Sequence, residues 1–99
     1  MIHTLPITSD TEPEAYTKLF RKKLMTGGAV VALADGLSDQ ECRAIGEKFI
    51  PKAVPHSIAA EVCRALALYP STPPDTLDAL RQLELPLVTL DLQRRADGA

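Results

Sequence analysis

The sequence is poor in the residues that usually build reactive or cross-linked sites. Among its 99 residues there is no tryptophan, and there are only two phenylalanines, two tyrosines, two cysteines and two histidines. Two cysteines, each within an amphipathic helical pattern, do not make the disulfide framework of a small secreted scaffold. Neither His3 nor His56 has a cysteine, histidine or carboxylate at metal-ligand spacing. The sequence therefore predicts no metal site and no disulfide.

Long apolar runs and an excess of one charge are also lacking. No stretch approaches the ~20 apolar residues of a membrane helix, and the start has no basic region followed by an apolar run. We therefore expect a cytoplasmic protein without a membrane segment. Eleven basic and thirteen acidic residues give a net charge of −2, so nucleic acid is not the expected partner. The one basic cluster is interpreted as a solvated helix face: Lys18, Arg21, Lys22 and Lys23.

What the sequence has is a series of capped, amphipathic helical patterns. The chain is 45% apolar, and its apolar residues recur at spacings of three and four. These patterns predict helices at about 12–25, from a capping box at Ser38 and Glu41 to about 50, at 58–68, and from a cap at Thr72 to a stop before Pro86. The predicted fold is all-α, a compact bundle or short stack of helical hairpins with about five helices, in a single domain of residues 11–95.

Three segments are less clear. Residues 1–10 fit a flexible or irregular arm or an added edge segment. The run AVVALADG over residues 29–36 fits either a buried strand or a buried helix, and we predict a helix because no partner strand is evident nearby. Residues 87–95 fit a terminal helix or an edge strand. A weak echo at a shift of 35 residues leaves open whether the chain contains a duplication.

One segment resembles a known repeat. Residues 65–80, ALALYPSTPPDTLDAL, resemble one unit of the variant leucine-rich repeat, an all-helical bacterial repeat. The matching positions are Pro70, Thr72, Pro73, Leu77 and Leu80, whereas Tyr69 stands where the family usually has asparagine. The resemblance covers under a fifth of the chain. It implies helical-repeat geometry and a contact surface, and it names no partner.

The sequence does not indicate an enzyme. Cys42 and Cys63 lie on apolar helix faces, where a reactive thiolate is disfavoured, so neither is expected to act with His56 as a nucleophile and base. The pair Gly27 and Gly28 lacks the Lys-Ser/Thr of a phosphate loop and is interpreted as a helix stop. No catalytic residue and no cofactor are therefore expected.

We therefore predict a small protein-interaction module, such as a bacterial immunity or adaptor protein that binds another protein through its helical surface. Asp35, Asp39 and Glu41 are predicted to form an acidic patch for a basic partner, and Tyr69 is the candidate apolar anchor. The alternative is a helix-turn-helix-like DNA-binding regulator over residues 38–68, which offers only Arg64 as a base-reading cation. The sequence leaves the oligomeric state open.

Overall fold

The computed structural model describes residues 2–98, which form two strands and five α-helices. In chain order they are β1 (His3–Ile7), α1 (Pro13–Met25), β2 (Ala29–Leu33), α2 (Asp39–Phe49), a 3-10 turn (Ile50–Lys52), α3 (Ile58–Leu68), α4 (Pro74–Gln82) and α5 (Pro86–Asp97). The described part is therefore predominantly helical, as predicted, but it is not purely α-helical.

The two strands form a parallel pair joined by α1. The register places His3 opposite Ala29 and Ile7 opposite Leu33. Parallel strands require a crossover, and α1 supplies it as the helix of a β-α-β unit. The hydroxyl of Tyr16 on α1 donates a hydrogen bond to the carbonyl oxygen of Leu5 at 2.9 Å, which fastens the helix to the first strand.

The helix predicted over residues 29–36 is wrong, and with it the purely all-α class. The prediction depended on the lack of a partner strand nearby in the sequence. The partner comes instead from the start of the chain, in the segment that fitted either an irregular arm or an edge segment. Ile7 in this segment is fully buried. Residues 87–95, which fitted a helix or a strand, belong to α5.

Serine side chains cap the starts of two helices, α2 and α3, whereas α1, α4 and α5 begin without a side-chain cap. The predicted capping box is present at α2, since the Ser38 Oγ accepts from the Glu41 backbone N–H and the Glu41 carboxylate accepts from the Ser38 N–H. Ser57 caps α3 in the same way through the Ala60 N–H. α3 has the most buried residues of any described helix, so it forms the centre of the core.

A guanidinium group holds the turn between α3 and α4. Arg95 on α5 donates from both terminal nitrogens to four carbonyl oxygens, those of Ala67, Tyr69, Pro70 and Thr72. The Thr72 hydroxyl donates to the Leu66 carbonyl oxygen at 2.7 Å. These bonds reach two carbonyl groups in the last turn of α3, those of Leu66 and Ala67, and three in the turn that follows the helix.

Candidate protein-binding groove

A surface groove runs along the full length of α1. Its first wall is one face of that helix, because the lining positions recur at spacings of three and four from Pro13 to Leu24. The facing wall is formed by the end of α2, the 3-10 turn and the start of α3. The groove has a volume of about 640 Å³, within the range of binding clefts. We call it the α1 groove; its lining is Pro13, Glu14, Thr17, Lys18, Phe20, Arg21, Leu24, Phe49, Lys52, His56, Ser57, Ile58, Ala59 and Glu61.

The floor of the α1 groove is apolar and held by aromatic packing. The ring centroid of Tyr16 lies 6.2 Å from that of Phe20 and 6.3 Å from that of Phe49. The rings of Tyr16 and Phe49 meet edge to face. Such contacts add to the stabilisation from area burial. Phe49 is buried, Phe20 and Ile58 are half-buried, and Leu24 is 50% exposed. The floor therefore offers fixed apolar surface to a ligand.

The rim of the groove carries cations that have no carboxylate partner. Within residues 2–98, Arg43, Lys48, Arg64, Arg81 and Arg94 each lie within ion-pair distance of a carboxylate. Arg95 is bonded to backbone carbonyls. The cations of this described part that make neither contact are Lys18, Arg21, Lys22, Lys23 and Lys52. Three of these five line the α1 groove: Lys18, Arg21 and Lys52.

A smaller apolar cleft adjoins the groove. It has a volume of about 390 Å³, lies between the starts of α3 and α5, and shares His56 and Glu61 with the α1 groove. His56 has a backbone φ of +66°, a conformation that few non-glycine residues adopt. Arg64 lines the cleft, and its Nε donates to the Oδ2 of Asp91 at 2.8 Å. Asp91 is fully buried, so this pair fixes the guanidinium at the cleft wall.

The residues predicted as partner-binding lie beyond the carboxyl end of β2. The last turn of α1 precedes the amino end of that strand. Asp35 is exposed in the loop after β2, and Asp39 and Glu41 lie in the first turn of α2. The Tyr69 hydroxyl donates to the Ala34 carbonyl oxygen at 2.7 Å and accepts from the Leu37 N–H at 3.0 Å. The fold thus brings Tyr69 against the loop that carries the acidic residues, where its hydroxyl holds the loop in place.

The acidic residues also have local structural roles. The Asp39 Oδ1 accepts from the Gln40 N–H at 2.9 Å, and Glu41 completes the capping box. Asp39 and Glu41 lie in the first turn of α2, where the positive end of the helix dipole favours carboxylates. Their role toward a basic partner remains a prediction.

Both cysteine thiols are buried. Burial raises the pKa of Cys63 to about 12, and burial is also the main cause that raises the pKa of Cys42. A thiol with a raised pKa stays protonated at neutral pH and is a poor nucleophile. No group of three metal-ligating side chains occurs within residues 2–98.

Comparison with protein-family models, curated proteins and solved structures found no match. Within residues 2–98, no helix combines the length and apolar character needed to span a bilayer.

The α1 groove was not among the sites predicted from the sequence. Helical spacing spreads the four residues of the basic cluster around α1, and the structure places two of them in the groove lining. Lys18 and Arg21 line the groove, and Lys22 and Lys23 do not. The available signal was the spacing of three that places Lys18 and Arg21 beside Phe20 and Leu24 on the helix surface. The second wall comes from residues 49–61, and no local pattern indicates that it faces α1.

Proposed function

We propose that this protein is a protein-binding module that takes up a segment of another protein in the α1 groove. The observation that carries the proposal is the groove itself, an apolar floor along three turns of helix with unpaired cations at its rim. Exposed apolar surface bordered by polar groups is typical of interaction sites. Within this class, the role of an adaptor or immunity-type inhibitor fits a small helical protein that binds another protein through its surface.

Apolar exposure continues beyond the end of the groove. Met25 is 89% exposed directly after Leu24 at the end of α1. A large apolar side chain held in water favours burial against a partner by roughly 25 cal/mol for each Å² covered. The end of α1 therefore extends the surface that a bound segment can contact.

The alternative of a DNA-binding regulator finds no supporting feature in the described residues. α3, the predicted recognition helix, is the central core helix. Its one cation, Arg64, is bonded to the buried Asp91. A recognition helix must present side chains to base edges in the major groove, and α3 is enclosed by other elements on most of its surface.

The test uses a variant that fills the groove. Thr17 lies on the groove face of α1, so Thr17→Trp places an indole in the binding space, and Lys22→Trp is the matched control on the same helix outside the groove. We expect the wild type and the Lys22→Trp control to capture the same partner from the native lysate and Thr17→Trp to lose it. Hydrogen exchange of the complex should then show protection in α1 and residues 52–61.

Both variants are first compared with the wild type by thermal unfolding, so that loss of folding is not mistaken for loss of binding. Equal capture by folded Thr17→Trp and by the wild type would exclude the groove as the binding surface.

A further inference from the structure

The α1 groove is more positive than the protein that contains it. Its lining has three cations, Lys18, Arg21 and Lys52, and two carboxylates, Glu14 and Glu61, whereas the whole chain has a net charge of −2. We infer, on the basis of the proposed function, that the groove binds an acidic amphipathic helix of a partner protein. Its apolar face covers the floor, and its carboxylates face the rim cations.

The walls of the groove favour a helix over an extended segment. α1 forms one whole wall of the groove, and beyond its first turn the backbone N–H and C=O groups of that helix are already bonded within the helix. An extended segment would find few backbone partners there and would leave its own polar groups unpaired. A helical ligand satisfies its backbone internally and needs only side-chain contacts.

The length of the groove sets the length of the ligand. The lining positions on α1 extend from Pro13 to Leu24, which is about 16 Å at the helical rise of ~1.5 Å per residue. A helix of about three turns matches this length. It presents apolar side chains at spacings of three and four toward Phe20, Leu24 and Ile58, with Asp or Glu on both flanks.

The same features disfavour a nucleic acid as the occupant. Three cations against two carboxylates leave an excess of only one positive charge in the lining, which provides few of the phosphate contacts on which nucleic-acid binding depends. A single strand also needs exposed rings on which its bases stack. Phe49 is buried and packs against Tyr16, and Phe20 packs against the same ring, so the floor lacks a free stacking platform.

The ligand class is tested by selecting peptides from a displayed library of three-turn helices with randomised surface positions. Selection uses the folded wild-type protein, and binders retained by folded Thr17→Trp are removed. We expect the remaining peptides to be enriched in Asp and Glu beside an apolar stripe. If the peptides that bind the wild type and not Thr17→Trp are neutral or basic, the inference of an acidic ligand is wrong and the proposed function stands. No groove-dependent peptide at all would overturn both.

Charge variants with a matched control then measure the role of the rim. The double variant Lys18→Gln/Arg21→Gln removes two rim charges, and Lys22→Gln/Lys23→Gln removes two charges from the same helix outside the groove. For the most enriched peptide, fluorescence anisotropy at ~0.05 M salt should show about tenfold weaker binding for the first variant, and a change of less than about threefold for the second.

The wild-type affinity should also fall as salt is raised to ~0.5 M, and the difference between the two variants should shrink. Equal weakening by both variants, or an affinity that salt leaves unchanged, would refute the rim contacts. Displacement of the peptide from the groove by a single-stranded oligonucleotide at equal concentration would instead identify nucleic acid as the ligand.

Discussion

The contact between Arg64 and Asp91 provides a sharp test of how the core is stabilised. Asp91 is fully buried between α3 and α5, and its Oδ2 accepts from the Arg64 Nε at 2.8 Å. Its Oδ1 has no hydrogen-bond partner within residues 2–98, and the Arg94 Nη1 lies 3.8 Å from it. The Arg64 side chain is 32% exposed. The buried Asp91 carboxylate therefore depends on Arg64 to compensate its charge, whereas the Arg64 guanidinium is partly in contact with water.

Arg64→Met leaves a buried carboxylate without its hydrogen-bonded counter-ion. Removing one partner of a buried ion pair costs about 3–5 kcal/mol. We expect the lower end, about 3 kcal/mol, because Arg94 lies close enough to move toward Oδ1. In a domain of this size that loss lowers Tm by roughly 12–24 °C. It is a large share of the ~5–15 kcal/mol by which folded domains are stable.

Asp91→Leu is expected to cost less, about 1 kcal/mol, because the partly exposed Arg64 can turn its charged end into water. The double variant Arg64→Met/Asp91→Leu removes both charges and should lie within about 1 kcal/mol of the wild type. The resulting coupling energy between the two positions is about 3–5 kcal/mol.

Urea unfolding followed by far-ultraviolet circular dichroism measures the free energy of unfolding of all four proteins. Two results would refute the reasoning. One is an Asp91→Leu variant that is as unstable as Arg64→Met. The other is a double variant whose loss equals the sum of the single losses.

Two further predictions concern the α3–α4 turn and the buried titratable groups. Arg95→Lys should destabilise the protein nearly as much as Arg95→Ala, by about 2 kcal/mol in urea unfolding, because an ammonium cannot reach the four carbonyls that the guanidinium bonds; full rescue by lysine would contradict this. Burial raises the pKa of Cys63 from 9.0 and that of Tyr16 from 10.0, each to about 12. The unfolded chain therefore loses these protons at lower pH than the folded chain, so Tm should fall as pH rises from about 9 to about 12. A Tm that stays constant from about pH 9 to about pH 12 would show that neither group contributes. If the slope of Tm against pH is the same in Cys63→Ala as in the wild type, Cys63 does not contribute.

Most helix boundaries were predictable because their signals are local. The Ser38 and Glu41 side chains cap backbone groups three residues away. Pro51 lies in the 3-10 turn that follows α2, and because it has no N–H it cannot continue the α-helical bonding. A helix bonds each N–H to a carbonyl four residues earlier, so a short stretch of sequence contains both partners.

The candidate site was less predictable. Asp35, Asp39 and Glu41 were proposed as a binding patch from the sequence; the structure places Asp35 in the loop after β2 and the other two in the first turn of α2, and their binding role stays a prediction. Tyr69 was named as a candidate anchor, and the structure shows a half-buried ring whose hydroxyl is bonded to Ala34 and Leu37. That bond joins residues more than 30 positions apart, which periodicity does not reveal.

The sequence by itself determined α1 to α4 and the capping box of α2, because their signals are local. Only the tertiary structure decided that AVVAL forms β2, because a strand takes its hydrogen bonds from another segment, and the partner lies at the start of the chain. The same holds for the α1 groove, since its two walls come from residues 13–24 and 49–61. Local bonding fixes a helix, whereas packing between distant segments fixes a sheet and a binding surface.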